Sequence, residues 1–195
     1  MRESRSFRAR LGVGAATPLV LCLGRLTRKK GLTQLVESVA GLPQVHVAIA
    51  GPDDGDGTLE AVKQTVTRHG LGDRVHLLPA GLWGAEKLQA LADADLFCLY
   101  SMTENFGGAP AEAAACGVPV VVSDQCGVAE WLGDGVEVVH FGDVAALATA
   151  IGCLFDDPRR RLMLAERGRA AARALSWEVV ARQQARLYER VVRPT

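Results

Sequence analysis

Apolar residues in this chain fall into short continuous runs, separated by stretches in which they recur every three or four positions. The runs are "PLVLCLG" (18–24), "VHVAIAG" (45–51), "RVHLL" (74–78), "DLFCLY" (95–100), "PVVVS" (119–123) and "VEVVHF" (136–141). Each is rich in Val, Leu or Ile and bounded by Gly, Pro or Asp, the pattern of a β-strand. Unbroken apolar strands belong to sheets covered on both faces, as parallel sheets are. Helical spacing fills the gaps, at 31–40, 57–69, 85–93, 110–116 and 127–132. This alternation predicts an α/β fold: a doubly wound, Rossmann-like parallel sheet of about six strands. Ligands then belong at the carboxyl ends of the strands, near the switch in strand order.

After residue 142 the strand pattern stops. Three successive helices are predicted over 143–155, 158–174 and 177–192, broken by Pro158 and by "LSW" at 175–177. The last places Val179, Val180, Leu187, Tyr188 and Val191 at helical spacing, a face that either packs on its own sheet or meets a partner.

Composition narrows the classes. A chain of 195 residues, 49% of them hydrophobic, suits one domain with a normal core. Its 22 basic and 22 acidic residues balance, so no global charge points to nucleic acid or an acidic membrane. The five cysteines have neither zinc nor CxxC spacing. Cys22 and Cys98 sit within apolar runs, as buried small hydrophobes do, and a reducing compartment is expected. "MRESRSFRARLGVGAATP" has no apolar signal-peptide region, and no apolar run reaches membrane-spanning length. The expectation is a soluble, cytoplasmic protein.

The loop after the first strand, "GRLTRKKG", crowds Arg25, Arg28, Lys29 and Lys30 at the start of a helix, with no acid among them. Cations at a helix N-terminus are unfavourable by roughly 0.3–1 kcal/mol each, so an anion site is one reading and a solvated basic loop the other. No Walker GKS or GKT occurs, and "GVGAAT" at 12–17 precedes the strand where a nicotinamide fingerprint would follow it. "GPDDGDG" at 51–57 reads as a flexible turn bordering a ligand.

"SMTENFGG" follows the fourth strand. Pro110 suits the first position of the next helix, which Gly117 would cap. Glu104 then lies on a loop and Glu112 one turn inside a helix, with the amides of Gly107 and Gly108 between them. Amides take an anionic or hydroxyl oxygen, and carboxylates accept from hydroxyls. A ligand with a charged middle and polyol ends fits, and a nucleotide sugar has that form.

Gly24–Arg25 with Lys30–Gly31, then Glu104, Asn105, Phe106, Gly107 and Glu112, then "ACGVPVVVSDQCG" at 115–127, closely resemble the C-terminal donor-binding domain of GT-B glycosyltransferases of the GT4 (group 1) type. The likeness covers nearly the whole chain, including "GLWGAEKLQALADADLFCLYS" and "LSWEVVARQQARLYE". It implies that Gly24, Arg25 and Lys30 bind the donor diphosphate. Glu104, Asn105, Phe106, Gly107 and Gly108 would face the donor sugar, and Glu112 the ribose hydroxyls. Gly81, Leu82 and Lys87 would border the base. The implied catalytic set is Glu104, Arg25 and Lys30. Two departures stand out: small residues in "GGAPAEAAA" where bulky aliphatics are usual, and no glycine–leucine in "DGVEVVHFGD".

The resemblance further implies transfer of a sugar, with retention, from a nucleoside diphosphate to an acceptor hydroxyl. The nucleoside-diphosphate sugar is a substrate and no cofactor or metal is expected, since no carboxylate cluster of the magnesium type occurs. Residues 1–17 resemble an interdomain linker, 18–175 the donor-binding domain, and 176–195 a helix that crosses to an N-terminal domain. That domain would be supplied in cis or in trans, and without it the chain binds donor but does not turn over. The final helix also offers self-association, and a complete enzyme could sit peripherally at the inner membrane face. The other function reading is a non-catalytic nucleotide-sugar-binding or interaction module on the same fold.

Overall fold

Every residue of β1 (Leu19–Leu23), β4 (Leu96–Leu99) and β5 (Val120–Ser123) is buried, as unbroken apolar runs require between two helical layers. With β2 (His46–Ala50), β3 (Val75–Leu78) and β6 (Glu137–Val139) they form one parallel sheet of order β3-β2-β1-β4-β5-β6. This computed structural model describes residues 6–192. Leu19, Leu21, Leu96 and Phe97 lie at its centre with no exposed surface, each worth about 1.5–3 kcal/mol of burial. The six predicted strands are the six observed, to within two residues at each end.

The helices are α1 (Ser6–Arg10), α2 (Leu32–Ser38), α3 (Thr58–Arg68), α4 (Gly84–Asp93), α5 (Gly108–Ala115), α6 (Val128–Leu132), α7 (Val144–Asp156), α8 (Pro158–Ala172) and α9 (Trp177–Val192). Right-handed crossovers put α2 and α3 on one face of the sheet and α4, α5 and α6 on the other. α7 packs on α2, while α8 packs on α5 and α6. Asp143 caps α7 by accepting from the Ala146 amide at 2.8 Å. Asp157 caps α8 by accepting from the Arg159 and Arg160 amides, with Pro158 leading the helix.

Two features differ from expectation. α5 opens at Gly108, two residues before Pro110; the proline falls in the first turn, where a missing N–H costs no intrahelical bond. The segment read as linker-like contains a docked helix, for α1 packs on α4 with Phe7 and Arg8 buried. Residues 1–5 of that segment and 193–195 of the C-terminal region lie outside the described residues. α9 has no buried residue, and Trp177, Tyr188 and Val191 stand exposed along it.

Candidate functional site

β1 and β4 are the central neighbours from which the chain winds in opposite directions, so the loops that follow them part at the carboxyl edge. After β1, Gly24 continues the ladder by donating to Ala50 O at 3.0 Å. Gly51 lies so close that a Cβ there would sit 1.7 Å from Gly24 O. The turn Arg28–Lys30 ends at Gly31, whose φ of +58° and place 2.1 Å from Tyr100 O, measured from a would-be Cβ, leave no room for a side chain.

The loop read as flexible, 51–57, braces the basic one. Leu26 donates to Pro52 O at 2.8 Å and Asp54 donates to Leu26 O at 3.2 Å. Asp56 accepts from Thr27 Oγ1 at 2.9 Å and from the amides of Arg28 and Thr58 at 3.0 Å each. Hydrogen bonding, first from the Thr58 side chain and then from the Arg28 amide, holds its carboxyl well below the usual range. Arg25 meets Asp54 at 2.8 Å. The cations are therefore not all uncompensated, as the loop's own sequence suggests: acids about 30 residues on offset part of the repulsion.

The loop after β4 is fixed on both sides. Met102 donates to Lys29 O at 2.7 Å, joining it to the basic loop. Glu104 donates to Gln125 O, and Gly127 donates to Glu104 O, each at 3.0 Å. Val128 donates to Phe106 O at 2.6 Å. So held, the Glu104 carboxylate forms a close ion pair with the Lys30 ammonium, both side chains largely buried. One helical turn into α5, Glu112 receives Lys87 of α4 on both oxygens, at 3.0 and 2.9 Å. Arg25, Lys30, Glu104 and Glu112 thus share one rim.

A cavity of about 290 Å³ opens between these loops, lined by Gly24, Arg25, Gly81, Leu82, Lys87 and Glu112 of the expected residues. Lys30 leans toward it, its Cε 3.6 Å from where a Cβ on Gly24 would lie. Lys30, Glu104, Asn105, Phe106, Gly107 and Gly108 are not in its wall; they continue the rim beyond it, with Asn105 and Phe106 exposed. Gly51 and Pro52 of the turn expected to border a ligand are also in the wall, and the sequence reading missed Trp83 and Ala109 there. Trp83 is 69% exposed, and an aromatic in "GLWG" directly after a strand was the available signal. A wider groove of about 980 Å³ lies at the amino edge, between α4, α5 and α8, away from every loop that follows a strand.

Three of the five thiols are buried. Burial pushes Cys22 up to about 12 and raises Cys98 and Cys126, so these cysteines stay protonated and inert. Among the described residues no three His, Cys, Asp or Glu side chains converge as a metal set would.

Comparison with known proteins agrees with this architecture. Residues 3–171 match the family described as Glycosyl transferases group 1, and the chain belongs to that family. Its fold is that of GT-B glycosyltransferases. The chain is 34% identical over 184 residues to D-inositol 3-phosphate glycosyltransferase of Xylanimonas cellulosilytica, covering 90% of this chain and 43% of that protein. Among solved structures it resembles sucrose-phosphate synthase of Thermosynechococcus elongatus, with a TM-score of 0.83 and 32% identity over 95% of this chain and 48% of that one. It also resembles Anabaena HepE, solved with UDP and glucose, at a TM-score of 0.83 and 28% identity over 95% and 51% of the two chains. The chain spans about half the length of the relatives it matches.

Proposed function

We propose that this chain is the donor-binding half of a retaining glycosyltransferase, taking a nucleoside-diphosphate sugar. The observation that carries the reading is the shared rim. A cavity sized for a nucleoside lies beside Lys30 and Glu104, with carboxylates at both ends and cations between. The base would lie at Gly81, Leu82 and Trp83, and the ribose hydroxyls would donate to Glu112. The diphosphate would draw Arg25 and Lys30 from their acidic partners. The sugar would meet Glu104 and the backbone amides over 106–108. That the Anabaena neighbour was solved with UDP supports nucleotide binding by this chain.

Transfer breaks the bond between the anomeric carbon and the diphosphate oxygen; an acceptor hydroxyl oxygen takes the carbon on the same face and gives its proton to the departing diphosphate. Charge grows on the departing diphosphate. Each cation at 4 Å would stabilise it by about 4 kcal/mol at an effective dielectric near 20. Arg25 and Lys30 together supply what a metal gives other transferases, so the reaction is metal-independent. Turnover needs an acceptor-binding domain, in cis or in trans, against which α9 would lay its exposed apolar face; self-association is the other use of that face. The setting is cytoplasmic, with any membrane contact peripheral. No helix among the described residues is long and apolar enough to cross a membrane.

Calorimetric titration with UDP, GDP and ADP tests this. One of them is expected to bind with a Kd of roughly 10–1000 μM, about −4 to −7 kcal/mol. Arg25→Ala and Lys30→Ala should weaken the diphosphate far more than the free nucleoside. A folded sample giving no heat with any of the three would overturn the proposal.

A further inference from the structure

Lys87 and Glu112 form an ion pair unlike the other two beside the cavity. Arg25 meets one oxygen of Asp54, and Lys30 one oxygen of Glu104. The Lys87 ammonium straddles its carboxylate, donating to Glu112 Oε1 at 3.0 Å and to Oε2 at 2.9 Å. The two residues come from different helices, α4 and α5, and both lie in the wall of the cavity. Their side chains are 32% and 50% exposed, so a ligand can reach the pair.

α4 alone would not select a lysine at this place. Lys87 ends the first turn of the helix, where the macrodipole disfavours a cation and favours the neighbouring Glu86. Glu86 meets Arg10 of α1 at 3.2 Å. Glu112 is the acid that offsets the Lys87 charge. The Trp83 carbonyl accepts from the Glu86 and Lys87 amides at 3.1 and 3.4 Å. One turn of backbone therefore carries both the aromatic at the cavity mouth and the ammonium on Glu112.

The pairing limits what Glu112 can accept. Each carboxylate oxygen has two acceptor positions. Lys87 takes one on each oxygen, which leaves one on each and stops the group turning about its Cγ–Cδ bond. Two acceptors fixed side by side match two neighbouring hydroxyls, as in the cis-diol of a ribose. The ammonium also cancels a charge that, left bare, would oppose a diphosphate in the same cavity.

We infer that Lys87 is a positioning residue: acting through Glu112, it makes the cavity select nucleotides with an intact ribose cis-diol. This rests on the donor reading above, and it gives Lys87 a different part from the base contact that the family resemblance implies. The test is calorimetry with UDP, GDP and ADP and their 2′-deoxy counterparts. The nucleotide that binds should be preferred over its deoxy form by roughly tenfold or more. Lys87→Met should weaken that nucleotide by about fivefold or more and shrink the preference by about threefold or more. In a Glu112→Gln background, adding Lys87→Met should change affinity by less than about twofold, because the group it positions is gone. Three results would overturn the inference while leaving the donor reading intact: no preference for ribose, a preference unchanged or raised in Lys87→Met, or an equal cost of Lys87→Met with and without Glu112. If none of the three diphosphates binds, the donor reading fails, and this inference falls with it.

Discussion

At the amino ends of β1 and β4, Arg8 reaches in from α1 and is 1% exposed. Its guanidinium donates to the carbonyls of Gly14 (3.0 Å), Thr17 (2.6 Å) and Asp93 (2.8 Å), and to the Asp95 carboxylate at 2.5 Å. Asp93 accepts from the amides of Phe7 and Arg8, and Asp95 also accepts from Leu19 N. At the carboxyl ends of the same two strands, Lys30 meets Glu104 and Lys87 meets Glu112, each pair with one edge open to a cavity or to solvent. The first network is closed, with its donors spent on the chain itself. The second keeps capacity in reserve. Similar residue types serve stability at one end of the sheet and, in the function proposed above, recognition at the other, and burial with hydrogen-bond completion tells them apart.

The largest expected effect breaks the closed network. Arg8→Met leaves the Asp95 carboxylate without its cation and the Asp93, Gly14 and Thr17 carbonyls without their donor, and should cost about 3–5 kcal/mol. That corresponds to a fall in Tm of roughly 10 °C, read by calorimetric unfolding, with little change in nucleotide affinity measured well below Tm. Lys30→Met at the other end should do the reverse: about 1–2 kcal/mol of stability at most, and a loss of nucleoside diphosphate affinity of roughly tenfold or more. Equal stability costs for the two variants would erase the distinction.

Between these in legibility stands the sequence itself. The strands were readable because a sheet covered on both faces needs unbroken apolar runs, and the turns because Gly and Pro punctuate them. Glu104 and Glu112 were readable as a pair because the glycines between them forbid a simple capping role. Arg8 was not: nothing in "SFRAR" separates a buried arginine from a solvated one, and its carboxylate partner Asp95 lies 87 residues away. The acids bracing the basic loop were equally hidden, since their contact depends on β1 and β2 being neighbours. Trp83 had a local signal that was passed over.

Smaller effects sharpen the contrast. Trp83 stands at the mouth of the first cavity, so its fluorescence should be quenched when the nucleotide binds, and Trp83→Phe should remove most of that change. Quenching unaffected by the substitution would move the base elsewhere.

A milder pH dependence belongs to the amino end. His46 Nδ1 lies 3.1 Å from His76 Nε2. Burial, with the nearby Arg74 and Arg8 charges acting on His46 and His46 itself on His76, lowers the readiness of both rings to protonate. The unfolded chain therefore takes up protons first as pH falls. The pair's contribution is fully present above the ordinary imidazole value, about 6.5, and is lost as pH drops toward the lowered folded values. Tm should decline over that window, and His76→Gln should flatten the decline; parallel profiles for the two proteins would remove this term.

A crystal structure of the chain with a nucleoside-diphosphate sugar bound reaches the central claim most directly. The diphosphate should lie against Gly24, Arg25 and Lys30, with the ribose at Glu112 and Lys30 turned from Glu104 toward phosphate. Nucleotide lodged in the 980 Å³ groove between α4 and α8, or bound at the carboxyl edge without touching Lys30, would contradict it.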